Sequence, residues 1–97
     1  MDGSIRDVIW EVSYIKLVQL DNGEYCLIVK DAELNDFVED FLWDDFEFQA
    51  TSVEVQRETN ITVYYNYFDS SVEIDKVREA LKQLDLNEVE RIYRLNN

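Results

Sequence analysis

Residues 31–47 read DAELNDFVEDFLWDDFE, and their spacing decides how the rest of the chain must be arranged. Leu34, Phe37, Val38, Phe41 and Leu42 fall at i, i+3, i+4, i+7 and i+8, one face of a helix. Asp31 is a suitable N-cap, because its carboxylate accepts from the free amides of the first turn. The spacing predicts a helix over 32–43 that ends before Asp45, a residue that would otherwise enter the apolar stripe. At about 100° per residue, Trp43 lies almost opposite that stripe, among Asp36, Glu39 and Asp40. The segment carries Asp31, Glu33, Asp36, Glu39, Asp40, Asp44, Asp45 and Glu47 without one Lys or Arg. Such a helix buries one face and presents a large aromatic side chain among carboxylates on the other.

Upstream, residues 8–20, VIWEVSYIKLVQL, alternate as an extended strand whose apolar phase shifts near Tyr14 and Ile15, the mark of a bulge or bend. Asp21-Asn22-Gly23 is the clearest turn, since Asn and Gly tolerate positive φ. A second strand, 24–30, completes a hairpin. Downstream, a strand over 46–57 with a second bulge near Thr51 and Ser52 is expected, then a turn at Glu58-Thr59-Asn60. The β-branched and aromatic run ITVYYNYF, 61–68, reads as a central strand. Asp69-Ser70-Ser71 caps a second helix, 72–84, with Ile74, Val77, Leu81 and Leu84 inward and mixed charges outward. The tail, 87–95, alternates and is expected to close the sheet as a charged edge strand. The order is ββαββαβ. It implies an α+β fold: a mainly antiparallel sheet of about five strands with two helices on one face.

Composition bounds the function. The 97 residues, 11.6 kDa, suffice for one domain, 1–97, with one modest core. Apolar residues make up 46% of the chain, too many for a disordered acidic tail. The formal net charge is -13, from 22 acidic and 9 basic residues, with a pI near 4.1. That exceeds the magnitude of about 2–8 that keeps a small domain soluble, and self-repulsion opposes compactness. The same sign counts against direct binding to nucleic acid or to an anionic membrane, and neither is expected as a partner. Only Arg6, Lys16 and Lys30 answer the acids before Glu47, so the field is concentrated on the first half. Neither a signal-peptide pattern nor an apolar run of spanning length occurs, and Cys26 has no partner for a disulfide. The expected setting is the cytoplasm, and Asn60-Ile61-Thr62 is then a chance sequon.

Chemistry is constrained by what is missing. The chain has no His, which removes the commonest general base and transition-metal ligand. Gly3 and Gly23 cannot build a phosphate loop. Asp36, Glu39, Asp40 and Asp44 share a helix face, but a rigid helix does not wrap a cation as a calcium loop does. Tyr64, Tyr65, Tyr67 and Phe68 lack the basic groove of a base-stacking platform. No catalysis, cofactor or metal is expected. The expected function is that of a monomeric binding protein. Glu33, Asp36, Glu39, Asp40, Trp43, Asp44, Asp45 and Glu47 would meet a basic partner, with Trp43 the central anchor and the carboxylates steering. An immunity (antitoxin) protein that covers the cationic cleft of a toxin such as a nuclease fits best. A phage-type inhibitor mimicking nucleic acid, and a non-catalytic adaptor held by an exposed strand edge, are the alternatives.

Overall fold

A computed structural model describes residues 4–96. Its elements run β1 (Ile5–Val12), β2 (Ile15–Leu20), β3 (Tyr25–Lys30), α1 (Ala32–Phe46), β4 (Ser52–Arg57), β5 (Thr62–Phe68), α2 (Ile74–Leu81) and α3 (Leu86–Asn96). The five strands form one antiparallel sheet in the order β1-β2-β3-β5-β4. The α+β fold and the five strands are as the sequence implied; the helices number three rather than two.

Each departure has a physical cause. Residues 8–20 are two strands, because Ser13 and Tyr14 make a two-residue turn with Val12 opposite Ile15. Tyr14 adopts φ 73, a left-handed conformation rare for a bulky residue. Its ring stacks on Tyr93 of α3 at 3.7 Å, and its C=O accepts from the Lys30 N–H. Tertiary packing thus stands in for the missing Gly or Asn. The Asn22-Gly23 hairpin between β2 and β3 forms as expected, with Gly23 at φ 91.

The tail is a helix, not an edge strand. Its apolar residues Leu86, Val89 and Ile92 recur every third position, and Tyr93 follows. Asp85 accepts from the amides of Asn87 and Glu88, and Glu88–Arg91 and Glu90–Arg94 pair along the helix. The helix beginning at Ala32 runs on to Phe46, three residues past the expected end. That extra turn sets Phe46 against Phe41 and Phe48, with centroids 5.4 and 6.4 Å away. Asp45 remains exposed, beside a surface cleft that Phe46 shares with α2. The strand expected over 46–57 consequently shrinks to β4, and the 72–84 helix to α2.

All three helices cover one face of the sheet. There Ile15, Leu17, Leu27, Val29 and Phe68 meet Leu34, Val38 and Leu42 of α1, Val77, Ala80 and Leu81 of α2, and Val89 of α3. Val18, Leu20 and Cys26 are buried on the opposite face, shielded by Ile28, Tyr65 and Tyr67. No described helix lies over that second face. None of the described helices is long and apolar enough to cross a membrane.

Candidate functional site

The candidate site is built on α1. Asp31 caps it as expected, its carboxylate accepting from the Leu34 N–H at 3.0 Å. The backbone there is strained: Asp31 has φ 112, held because its N–H donates to Thr62 O at 2.8 Å and its own C=O accepts from Asn35 N. Leu34, Val38 and Leu42 are buried, and Phe37 and Phe41 are half-buried. The apolar stripe is therefore the one the spacing gave.

One buried contact on α1 is polar. Asn66, in the middle of β5, donates through Nδ2 to Asn35 Oδ1 at 2.8 Å and to Leu27 O at 3.0 Å. Both side chains are buried. A paired amide between helix and sheet has one satisfied geometry, so it fixes the rotation of α1 about its axis. Sequence reasoning missed it, although the signal was present. Asn66 interrupts an otherwise β-branched and aromatic strand, and Asn35 lies one residue past Leu34 on the apolar side of the helix.

With the rotation fixed, Glu33, Asp36, Glu39, Asp40, Trp43, Asp44, Asp45 and Glu47 are all exposed. Trp43 keeps 50% of its surface in solvent rather than folding onto the sheet margin. Glu39 lies on the flank that faces the far end of the sheet, where it lines a small cleft with Gln49, Ala50 and Asn66. Asp36 and Trp43, one turn before and after it, neighbour Glu39 along the helix and are turned further toward solvent.

The seven carboxylates make no ion pair among the described residues. The other helices behave differently. On α2 and α3 the basic side chains pair with acids three or four residues away: Lys76–Glu73, Arg78–Asp75, Lys82–Glu79, Arg91–Glu88 and Arg94–Glu90. These pairs hold Glu79 and Glu88 below the usual carboxylate range.

α1 also opposes its own dipole. Its last turn contains Asp44 and Asp45 and no basic residue, although a helix C-terminus favours cations. Glu47 ends the helix at φ 60, a position that suits Gly. Its N–H donates to Trp43 O at 2.9 Å, and Phe48 N donates to Leu42 O at 3.0 Å. Three acids thus crowd the negative end of one helix. By contrast α2 and α3 carry Arg78 and Arg94 in their last turns, so the conflict with the dipole is confined to the end of α1.

Among the described residues, no group of three His, Cys, Asp or Glu side chains stands where it would hold a metal ion. Cys26 is buried on the second face, where burial and then the nearby Glu54 charge push its thiol up to about 12. No protein family matches the chain, and neither curated proteins nor solved structures show significant similarity to it.

Proposed function

We propose that this protein acts by binding rather than by catalysis, as a small acidic inhibitor that covers the cationic cleft of a basic partner. An immunity protein that neutralises a toxin such as a nuclease is the form that suits it best. The observation that supports this reading is the outward face of α1: an exposed Trp43 and seven carboxylates without ion pairs, of which Asp44, Asp45 and Glu47 crowd the helix end that disfavours them.

The mechanism follows from range. Charges act over about 8–10 Å at moderate ionic strength, so the α1 field draws in and orients a cationic surface before contact. Trp43 then supplies apolar area at low entropic cost, and the carboxylates around it accept from Arg and Lys. A mimic of nucleic acid would use the same carboxylates in place of phosphates against the same kind of cleft. An adaptor held by a strand edge has separate support, because β4 lies at the margin of the sheet with one side unpaired.

The test begins with affinity capture from the native source and ends in stopped-flow kinetics. The captured protein should be basic, and its association should slow steeply as salt rises. Asp36→Asn with Asp40→Asn should slow it at low salt only. A partner of neutral charge, or a rate flat across salt, would remove the inhibitor reading.

A further inference from the structure

The two margins of the sheet differ. β1 pairs with β2 through two register shifts, between Ile5 and Asp7 and between Val8 and Trp10. Bulges of this kind twist an edge away from further pairing. β4 pairs with β5 in unbroken register from Ser52–Tyr67 to Arg57–Thr62. Glu58 N donates to Ile61 O, continuing that register, so alternate residues back along β4 point their backbone groups at β5. Val53, Val55 and Arg57 therefore turn N–H and C=O away from the sheet. No described element lies beyond them.

The side chains along this margin are as open as the backbone. Val53 and Val55 are on the helix-covered side of the sheet, in register with Asn66 and Tyr64, yet they stay 45% and 44% exposed because no helix reaches them. On the other side Glu54 is held outward, its carboxylate accepting from the Tyr67 hydroxyl at 2.9 Å. Glu58 continues that row. Of the α1 acids, Glu39 faces this end of the sheet, lining a cleft with Gln49, Ala50 and Asn66.

We infer that β4 accepts an extended segment of a basic protein partner as a sixth strand. The segment alternates: apolar side chains cover Val53 and Val55, and Lys or Arg side chains lie on the other side near Glu54 and Glu58. Main-chain hydrogen bonds supply the affinity, and the alternation supplies the selectivity. Charge complementarity selects this occupant over a second copy of the chain, since a copy would bring another net charge of -13 to the same margin. The inference rests on the proposed preference for a basic partner but places the contact on a strand edge.

The probe is a fluorescein-labelled seven-residue peptide of alternating Val and Lys, followed by anisotropy. Its twin carries N-methyl groups on alternate amides, which keeps the charge and removes the edge hydrogen bonds. The wild-type protein should bind the first at least tenfold more tightly than the second. Val55→Pro deletes an outward N–H without touching the β5 ladder, and should cost a similar factor. Equal binding of the two peptides overturns the inference, and the N-methyl comparison needs no variant to fold. A dimer in sedimentation that Val55→Pro dissociates would give the edge to a second copy and also overturn it. Asp40→Asn with Asp44→Asn separates the two readings. If these changes leave peptide association unaltered while N-methylation still abolishes binding, the edge stands and the acidic-helix reading fails; the reverse pattern fails the edge alone.

Discussion

Replacing Asn66 by Leu tests whether a buried amide pair sets the rotation of α1. The substitution removes the donor to Asn35 Oδ1, at 2.8 Å, and to Leu27 O, at 3.0 Å. Leaving a buried acceptor without a partner costs about 1–3 kcal/mol. The added apolar contact of Leu offsets part of this, so a loss near 2 kcal/mol is expected. Asn35→Leu should cost about the same, because one Asn66 N–H then loses its acceptor while the other stays on Leu27 O. Removing both amides together leaves neither side chain of the pair with an orphan group, while Leu27 O stays opposite residue 66 in the β3–β5 ladder, and such paired replacements are close to neutral. The singles together would cost about 4 kcal/mol, so the double variant should be more stable than their sum by about 3 kcal/mol or more. For a chain of this size, each kcal/mol moves the melting midpoint by about 4–8 °C, so each single variant should melt roughly 10 °C early. Urea denaturation of the four proteins closes the cycle, with unchanged slopes showing a comparable unfolded state. Single losses that add to within about 0.5 kcal/mol would show that the two side chains do not interact. The rotation of α1 would then rest on its apolar stripe alone.

Other expectations can be checked on the same preparations. Trp43→Ala should change stability by less than about 1 kcal/mol, since half the side chain is already in water, but weaken partner binding by about 2 kcal/mol or more; a stability loss of several kcal/mol with unchanged binding would end its role as anchor. Phe41→Ala should cost about 2 kcal/mol, below the 3–5 typical of a fully buried ring because Phe41 is only half-buried. Asp40→Ala should cost almost nothing by the same denaturation assay. The folded Cys26 thiol stays protonated up to about pH 12, whereas in the unfolded chain it ionises near its ordinary value of 9.0. Its contribution is therefore complete below pH 9 and lost as pH rises toward 12. A thiol reagent at pH 8 should label it only after unfolding, and Cys26→Ala should flatten part of the alkaline fall in stability.

The stretches that were legible in the sequence are those where local chemistry and tertiary packing agree. Asp31 capping a helix with Leu34, Val38 and Leu42 inward, the Asn22-Gly23 hairpin, and the central strand each carry their own signal. The β1–β2 turn carries almost none, because Ser13-Tyr14 has no residue suited to positive φ; only the phase shift at Ile15 betrays it. Its geometry is supplied from far away, by the Tyr14–Tyr93 stack. The last helix was misjudged on period. Val89, Arg91, Tyr93 and Leu95 alternate, but Leu86, Val89 and Ile92 with Glu88–Arg91 and Glu90–Arg94 satisfy helical spacing better. For the site, exposure of Trp43 and its carboxylates was legible from helical angle. The open margin at β4 was not, because strand order depends on which strands α1 crosses between.

The acids at the end of α1 offer the sharpest separation between stability and function. The C-terminus of a helix carries about half a negative charge, and an acid in its last turn costs about 0.3–1 kcal/mol. Asp44→Lys replaces that repulsion with attraction, so it should stabilise the fold by about 1 kcal/mol. Glu47 occupies φ 60, where glycine is free of the Cβ conflict. Glu47→Gly should therefore stabilise by about 1 kcal/mol as well, and removes a further charge from the same end. If these acids were retained only as a solvated surface, the two changes would raise stability and alter nothing else. If they steer a basic partner, both changes raise the melting midpoint and lower the association rate at low salt, with rates converging on wild type as salt screens the field. Denaturation and stopped-flow association on the two variants decide between these cases. A fall in stability would show that the carboxylates make favourable contacts of their own, and the case that α1 is shaped for a partner would lose its main support.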